Sequence, residues 1–376
     1  MRHAAIVVAF VLTAAPAYAQ LGKLIDAKRK ADNLRELVIT EADERKIGEM
    51  VSALVIADYG VFQDKAVTKY VTLLGTVLAK ESKRPDLKWE FIVLDTDGIN
   101  AFAAPGGLVH ITRGALGLIK SEAELAGVLA HEISHVAKRH TANSIEKNKR
   151  IGMATDIAAG SNAYFDFLAD AVYDNIVEKG FDLADESDAD QEGVRLANKV
   201  GYNPSGLNTF LTKLMERNSG AKPARNGLFA SHPETQGRIK KLDEQIKKEK
   251  LTGTGIVQAR YASTIRFDAK PLSEVATVAR GTRGVASSGA EPKPGEKPPE
   301  EKPEEKKEEP KKRGFGLGSL KLSSGNQAES TQASASAGGR AVGPDRGAAG
   351  GPNKSKLALP AITPAELEAF KKGIAG

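Results

Sequence analysis

Ser121-Glu122-Ala123-Glu124-Leu125-Ala126-Gly127-Val128-Leu129-Ala130-His131-Glu132-Ile133-Ser134-His135-Val136 is the stretch on which the reading of this chain turns. It opens as a capping box: the Ser121 hydroxyl accepts the Glu124 amide, the Glu124 carboxylate returns to the Ser121 amide, and a helix begins. Leu125, Val128, Leu129, Ile133 and Val136 recur at three- and four-residue steps, which predicts an amphipathic helix to about His140. Within it His131 and His135 are four apart and share one face, with Glu132 beside them. Two imidazoles so spaced can hold one zinc ion while the carboxylate addresses a water on the same metal. That is the arrangement for hydrolysing a peptide bond with Glu132 as catalytic base. The chain has six histidines in all, and neither Pro nor Gly interrupts the five-residue motif. The competing reading is an exposed helix whose two histidines and glutamate face solvent.

A catalytic zinc needs a third protein ligand and one open position. The densest acidic cluster downstream runs from Gly180 to Asp190, and within it Glu186 and Asp190 are four apart on one helix face. One of them can ligate the metal while the other accepts a proton from a ligating histidine and so fixes its tautomer. We expect one zinc ion per chain, with Glu186 on the metal and Asp190 behind a histidine. Asp185, Asp188 or a plain solvated acidic face are the alternatives. His140 is expected off the ligand face, in solvent near the helix C-terminus. His110, between Val109 and Ile111, is expected on the solvent or cleft side of a strand.

Outward from this core the composition divides the chain. Apolar and charged residues mix through about the first 280 of its 376 positions, after which Pro, Glu, Lys, Gly, Ser and Ala take over. Residues 1–19 read as a signal peptide: a basic start, an apolar run from Ala4 to Ala15 too short for a bilayer, and Ala17-Tyr18-Ala19 before Gln20. The protein is therefore expected to be exported, periplasmic or otherwise extracytoplasmic. With no cysteine it cannot rely on disulfides, and a net charge of +6 with both signs interspersed does not indicate nucleic-acid binding.

The metallopeptidase domain is expected over 20–250. It begins with two or three amphipathic helices between Gly22 and Thr76, followed by strands at Trp89–Leu94 and Leu108–Thr112 that pair in a small antiparallel sheet. Soluble helices follow over 151–177, then a helix from about Glu186 to Val200 with Gly201 at its C-cap, and another near Ser205 to Arg217. A short strand-like extension around Ile265 and Phe267 is expected over 251–285, and a disordered linker over 286–358. The end, 359–376, carries Leu367 and Phe370 and is suited to a short docking helix. The fold class is α+β and predominantly helical, with a disordered tail.

Asn100-Ala101-Phe102-Ala103-Ala104-Pro105-Gly106-Gly107, then Thr112-Arg113-Gly114, the His131–His135 motif and the Glu186–Asp190 motif stand in the order seen in HtpX-like zinc metallopeptidases. That family includes the Oma-type and prenyl-protein-processing proteases. Ser231-His232-Pro233 with Arg238-Ile239 resembles its closing motif, and the likeness covers roughly residues 43 to 242. The resemblance implies a gluzincin-type fold with glutamate as third ligand. It implies that Leu108–Thr112 is an edge on which an extended or unfolded polypeptide substrate pairs through its backbone. It also implies that His232 either takes the open metal position in a resting state or stabilises the oxyanion; locally His232 reads equally as a loop cap before Pro233. Two features depart from the family pattern. Leu183 stands where many relatives carry arginine, and no repeat of about 34 residues follows. The expected activity is zinc-dependent endopeptidase action on unfolded or misassembled envelope proteins, with membrane or envelope association allowed. The alternative is a zinc-ordered chaperone-like or binding module with little proteolysis.

Overall fold

The computed structural model describes residues 38–150, 161–218, 235–271, 274–275, 277–278, 340–341 and 357–374. The expected leader at 1–19, the helical periodicity read at 24–37, most of the linker expected at 286–358, and His232 lie outside these residues.

Three strands form the platform: β1 (Glu90–Leu94), β2 (Ala101–Ala104) and β3 (Leu108–Thr112), in the spatial order β1-β3-β2. β1 and β3 run parallel, with Ile92 opposite His110, while β2 returns antiparallel, with Ala103 opposite Val109. The expected antiparallel pairing of Trp89–Leu94 with Leu108–Thr112 is therefore corrected, and the sheet is mixed. The hairpin partner of β3 is β2, whose alanines carry no strand signature. Pro105-Gly106-Gly107 joins them in a tight turn with φ of +75° and +98° at the two glycines, values that favour glycine. The segment from Asp95 to Gly107, β2 included, then serves as the crossover that a parallel pair requires.

Side chains alternate across the sheet. Phe91, Val93, Ala101, Ala103, Val109 and Ile111 enter one apolar cluster, and Ile92, Leu94, Phe102, Ala104 and Leu108 enter another on the opposite face. The second face is covered by α1 (Glu41–Tyr59), through Ile47, Val51 and Val55, and α6 (Asn162–Tyr173) packs on α1 and adds Phe165, Leu168 and Val172 to the same cluster. With both faces covered, every strand residue is buried. His110 is consequently in the core and not at a solvent or cleft face. It stacks on Phe102 and its Nε2 lies 2.9 Å from Ser52 Oγ. Burial pushes its imidazole down to about 3.

The first face is covered by α2 (Lys65–Lys80) and by α4 (Glu122–Ala137), the helix that carries the motif. α3 (Arg113–Leu118) leads into α4, whose first turn keeps half of the expected capping box. The Glu124 amide donates to Ser121 Oγ at 3.3 Å, but the Glu124 carboxylate takes the Lys120 amide at 3.3 Å and Lys213 Nζ at 2.8 Å. The helix is buried on all sides from Glu122 to Val136, because α7 (Leu183–Val200) and α8 (Gly206–Asn218) close over it. These contacts are backbone-close. A Cβ on Gly127 would stand 2.5 Å from Leu207 N, and one on Gly193 would stand 2.9 Å from His131 N. α7 begins at Leu183, behind its Asp182 N-cap and three residues before the expected start, and ends at Gly201 as expected, in the left-handed conformation with Tyr202 N bonded to Ala197 O at 3.0 Å.

α9 (Thr235–Glu249) lies on α7 and α8. The stretch read as a strand-like extension contains a helix instead, α10 (Gln258–Thr264); Ile265 and Phe267 follow it, so their alternation reflects a short extended run against the core. Thr277–Val278 pairs with Arg340–Ala341 in a two-residue ladder. The C-terminal helix α11 (Pro364–Lys372) forms as expected, started by a Thr363–Glu366 capping box, and buries Leu367 and Phe370 against α2. Each such apolar side chain contributes about 1.5–3 kcal/mol when fully buried.

Candidate metal centre

The centre is made where the end of α4 meets the start of α7. His131 and His135 sit one turn apart on α4, and Gly193 lets α7 approach closely enough for Glu186, in its first turn, to reach both. His135 Nε2 lies 3.1 Å from His131 Nε2 and 3.3 Å from Glu186 Oε1, and His131 Nε2 lies 3.6 Å from Glu186 Oε2. The three candidate ligand atoms all lie within 4.8 Å of one another, on residues only 3%, 2% and 1% exposed. Two imidazole nitrogens and a carboxylate oxygen aimed at one point make a His₂Glu donor set, which suits zinc in a site with a position left for water or substrate. Of the acidic alternatives, Asp185 and Asp188 point away from this cluster toward His140 and Lys138. Glu132 lies on the same turn as His131 and is itself buried.

The outer nitrogens of these two candidate ligand rings are also engaged. His131 Nδ1 lies 3.0 Å from Asp190 Oδ1, the arrangement expected for Asp190. Burial alone would raise the Asp190 carboxyl, but two bonds from Arg238, at 2.8 and 2.7 Å, together with His131 hold it down at about 2. Arg238 also reaches Glu186 Oε2 at 2.9 Å through Nη1. Leu183 is half exposed and takes no part, and the arginine that meets Asp190 comes from α9, 48 residues further along the chain.

His140 departs from its expected place. It is 4% exposed, and its Nδ1 lies 2.9 Å from His135 Nδ1. α4 ends at Ala137, Arg139 takes the left-handed conformation at φ +60°, and His140 opens a new helix, α5 (His140–Arg150). A straight helix would have carried His140 away from the ligand face; the turn folds it back. Phe181 stacks on His135 with ring centroids 3.9 Å apart. Sequence reasoning misses Gly193, Phe181 and the role of His140, which carry no spacing signal. Arg238 is visible in the sequence only as part of a motif resembling a family's.

The strand implied to be a substrate edge, Leu108–Thr112, is the middle strand of its sheet and is paired on both sides. The edge that packs against α4 is β2. The structure brings together His131, Glu132, His135, Glu186 and Asp190; His232 is outside the described residues.

The sequence profile of peptidase family M48 matches residues 65–246, a span that holds every residue of this centre. The chain is 29% identical to the beta-barrel assembly-enhancing protease of Yersinia pestis over 210 residues, covering 52% of this chain and 42% of that protein. It is 28% identical to the Escherichia coli K12 protein of the same name over 233 residues, covering 56% of this chain and 46% of that one. It is 28% identical to the mitochondrial metalloendopeptidase OMA1 of Schizosaccharomyces pombe over 214 residues, 55% of this chain and 63% of the relative. The chain thus spans about half the length of these relatives.

Proposed function

Residues 65–246 of this chain belong to peptidase family M48, and from that premise we propose that the protein is a zinc-dependent endopeptidase that cuts unfolded or misassembled polypeptides of the cell envelope. The observation that carries the reading is the buried convergence of His131, His135 and Glu186 within 4.8 Å, with Glu132 beside them. When bound, the ion supplies Lewis acidity, lowering the pKa of a neighbouring water and polarising the scissile carbonyl. The Glu132 carboxylate would accept a proton from the attacking water and return it to the leaving amine. Asp190, charged through its pairing with Arg238, holds the His131 ring in the tautomer that leaves Nε2 unprotonated.

An extended substrate would pair through its backbone along β2, the sheet edge against α4, which gives affinity with little sequence preference. The envelope as site of action follows the names of the two bacterial relatives and the leader read at residues 1–19. Among the described residues, no helix is long and apolar enough to cross a membrane. His232 is assigned to the open metal position in a resting state or to the oxyanion. A His232→Ala chain with unchanged basal activity and unchanged zinc affinity would remove that assignment.

The test of the main reading is Glu132→Gln in the full chain. It is expected to keep one zinc ion and the parent's circular dichroism while losing about 10²–10⁴-fold of its rate on casein. Cleavage at the parental rate by the zinc-loaded variant would overturn the reading.

A further inference from the structure

We propose that His140 is a positioning residue for the metal centre, selecting the ligating tautomer of His135 as Asp190 does for His131. The inference rests on the zinc reading above and adds a residue that the motif does not contain.

Two ring nitrogens 2.9 Å apart, His140 Nδ1 and His135 Nδ1, share one proton between one donor and one acceptor. The other nitrogen of His135, Nε2, faces His131 Nε2 and Glu186 Oε1 and must keep its lone pair to ligate. In a neutral imidazole the proton is then on Nδ1, so His135 donates and His140 Nδ1 accepts. That leaves the His140 proton on Nε2, which lies 3.3 Å from Asp188 Oδ2 and 3.8 Å from Asp185 Oδ1. The chain of bonds has one consistent direction, from His135 through His140 to the Asp188 carboxylate on α7. The reverse direction would protonate His135 on Nε2 and take it off the metal.

The surroundings hold His140 where this requires. Arg139, the residue before it, has φ +60°, a left-handed conformation that is unfavourable for a residue with a Cβ. It is kept there by an ion pair of 2.6 Å to the buried Glu44, whose other oxygen takes Arg84 at 2.7 Å, and by a bond from its guanidinium to the Ile39 carbonyl. Phe181 stacks on His135 and fixes the plane of the ligand ring that His140 addresses. A histidine buried for packing alone would not need its Nδ1 aligned on a ligand's outer nitrogen with a carboxylate behind its Nε2.

The experiment is zinc affinity of the full chain, measured by competition with a chromophoric chelator, for the parent, His140→Leu and His140→Asn. Leucine fills the space without an acceptor, whereas the asparagine amide oxygen can take the place of Nδ1. We expect His140→Leu to lose about 10–100-fold in affinity and His140→Asn to recover most of it. Equal affinity in the parent and a folded His140→Leu overturns the inference, as does an equal loss in both variants, which marks a packing effect. A parent chain that binds no zinc overturns the metal reading itself, a result distinct from either. If His140→Leu does not fold, two-bond proton–nitrogen spectra of the zinc-loaded parent with labelled histidines decide. Protonation of His140 at Nε2 and of His135 at Nδ1 supports the inference, and protonation of His140 at Nδ1 overturns it.

Discussion

At the start of α4 the Glu122 carboxylate, 0% exposed, accepts the Tyr70 and Tyr202 hydroxyls at 2.8 and 2.9 Å and two guanidinium bonds from Arg260. Arg260 lies in turn over the Phe370 ring of the C-terminal helix, at 4.0 Å, and donates to its carbonyl. Roughly three turns along the same helix, His131 and His135 are as deeply buried, and their Nε2 atoms converge with Glu186 on a common point. Both ends take ionisable groups out of water, and the difference lies in where the lone pairs go. At Glu122 four donors meet one carboxylate, so the polar demand is satisfied within the protein and the cluster clamps α2, α4, α10 and α11 together. At the other end, Asp190 with Arg238 lies behind His131 and His140 lies behind His135, and the inner nitrogens of the two rings face each other and the Glu186 carboxylate. Burial of charge therefore does not by itself mark a candidate site; the convergence of several donor atoms on one point does.

The sharpest way to break this contrast is Arg260→Leu. It leaves the Glu122 carboxylate buried with only two tyrosine donors and is expected to cost about 3–5 kcal/mol of stability. Denaturant unfolding should register that loss while zinc affinity stays at the parental value. A fall in zinc affinity would show that the two ends are coupled. Next in size is the metal itself. Zinc free at about 100 times its dissociation constant is expected to add about 2.7 kcal/mol to the stability of the parent. The same increment is expected in Arg260→Leu, and none in His135→Ala, as read by melting with and without chelator.

The smallest effect separates the metal from the general acid sensitivity of the fold. His110 lies in the sheet at neither end of α4, and burial holds its imidazole at about 3 against an ordinary 6.5. The unfolded chain binds the extra proton between those values, so the stabilisation is complete above about pH 6.5 and is lost as the pH falls toward 3, by up to about 1.4 kcal/mol per pH unit. This slope should persist in the metal-free chain and flatten in His110→Asn. A slope unchanged in that variant would assign the acid sensitivity to other groups.

Much of the centre is legible in the amino-acid sequence. His131 and His135 share a face because a helix turns every 3.6 residues, and the same geometry puts Glu186 and Asp190 on one side of α7. Gly201 stops that helix in the way a glycine C-cap does, and Leu367 and Phe370 do mark a docking helix at the C-terminus. The departures have a common origin. Trp89–Leu94 and Leu108–Thr112 both contain strands, but their parallel pairing needs the crossover through Ala101–Ala104, a segment of three alanines and one phenylalanine that enters the sheet because a glycine turn and two apolar faces accommodate it. Patterns along one element place His110 and His140 outside, because alternation and helical period do not register what packs across that element.

The primary sequence by itself determined the types of the candidate donor side chains and their spacing within each helix. Those properties depend on neighbours within about one turn, where covalent geometry leaves few choices. Tertiary structure alone decided that Arg238 from α9 anchors Asp190, that Arg139 turns His140 onto His135, and that Gly193 lets two helices meet closely enough for His131, His135 and Glu186 to converge. These contacts join residues from different elements, and they form only where packing of whole elements brings them within hydrogen-bond reach.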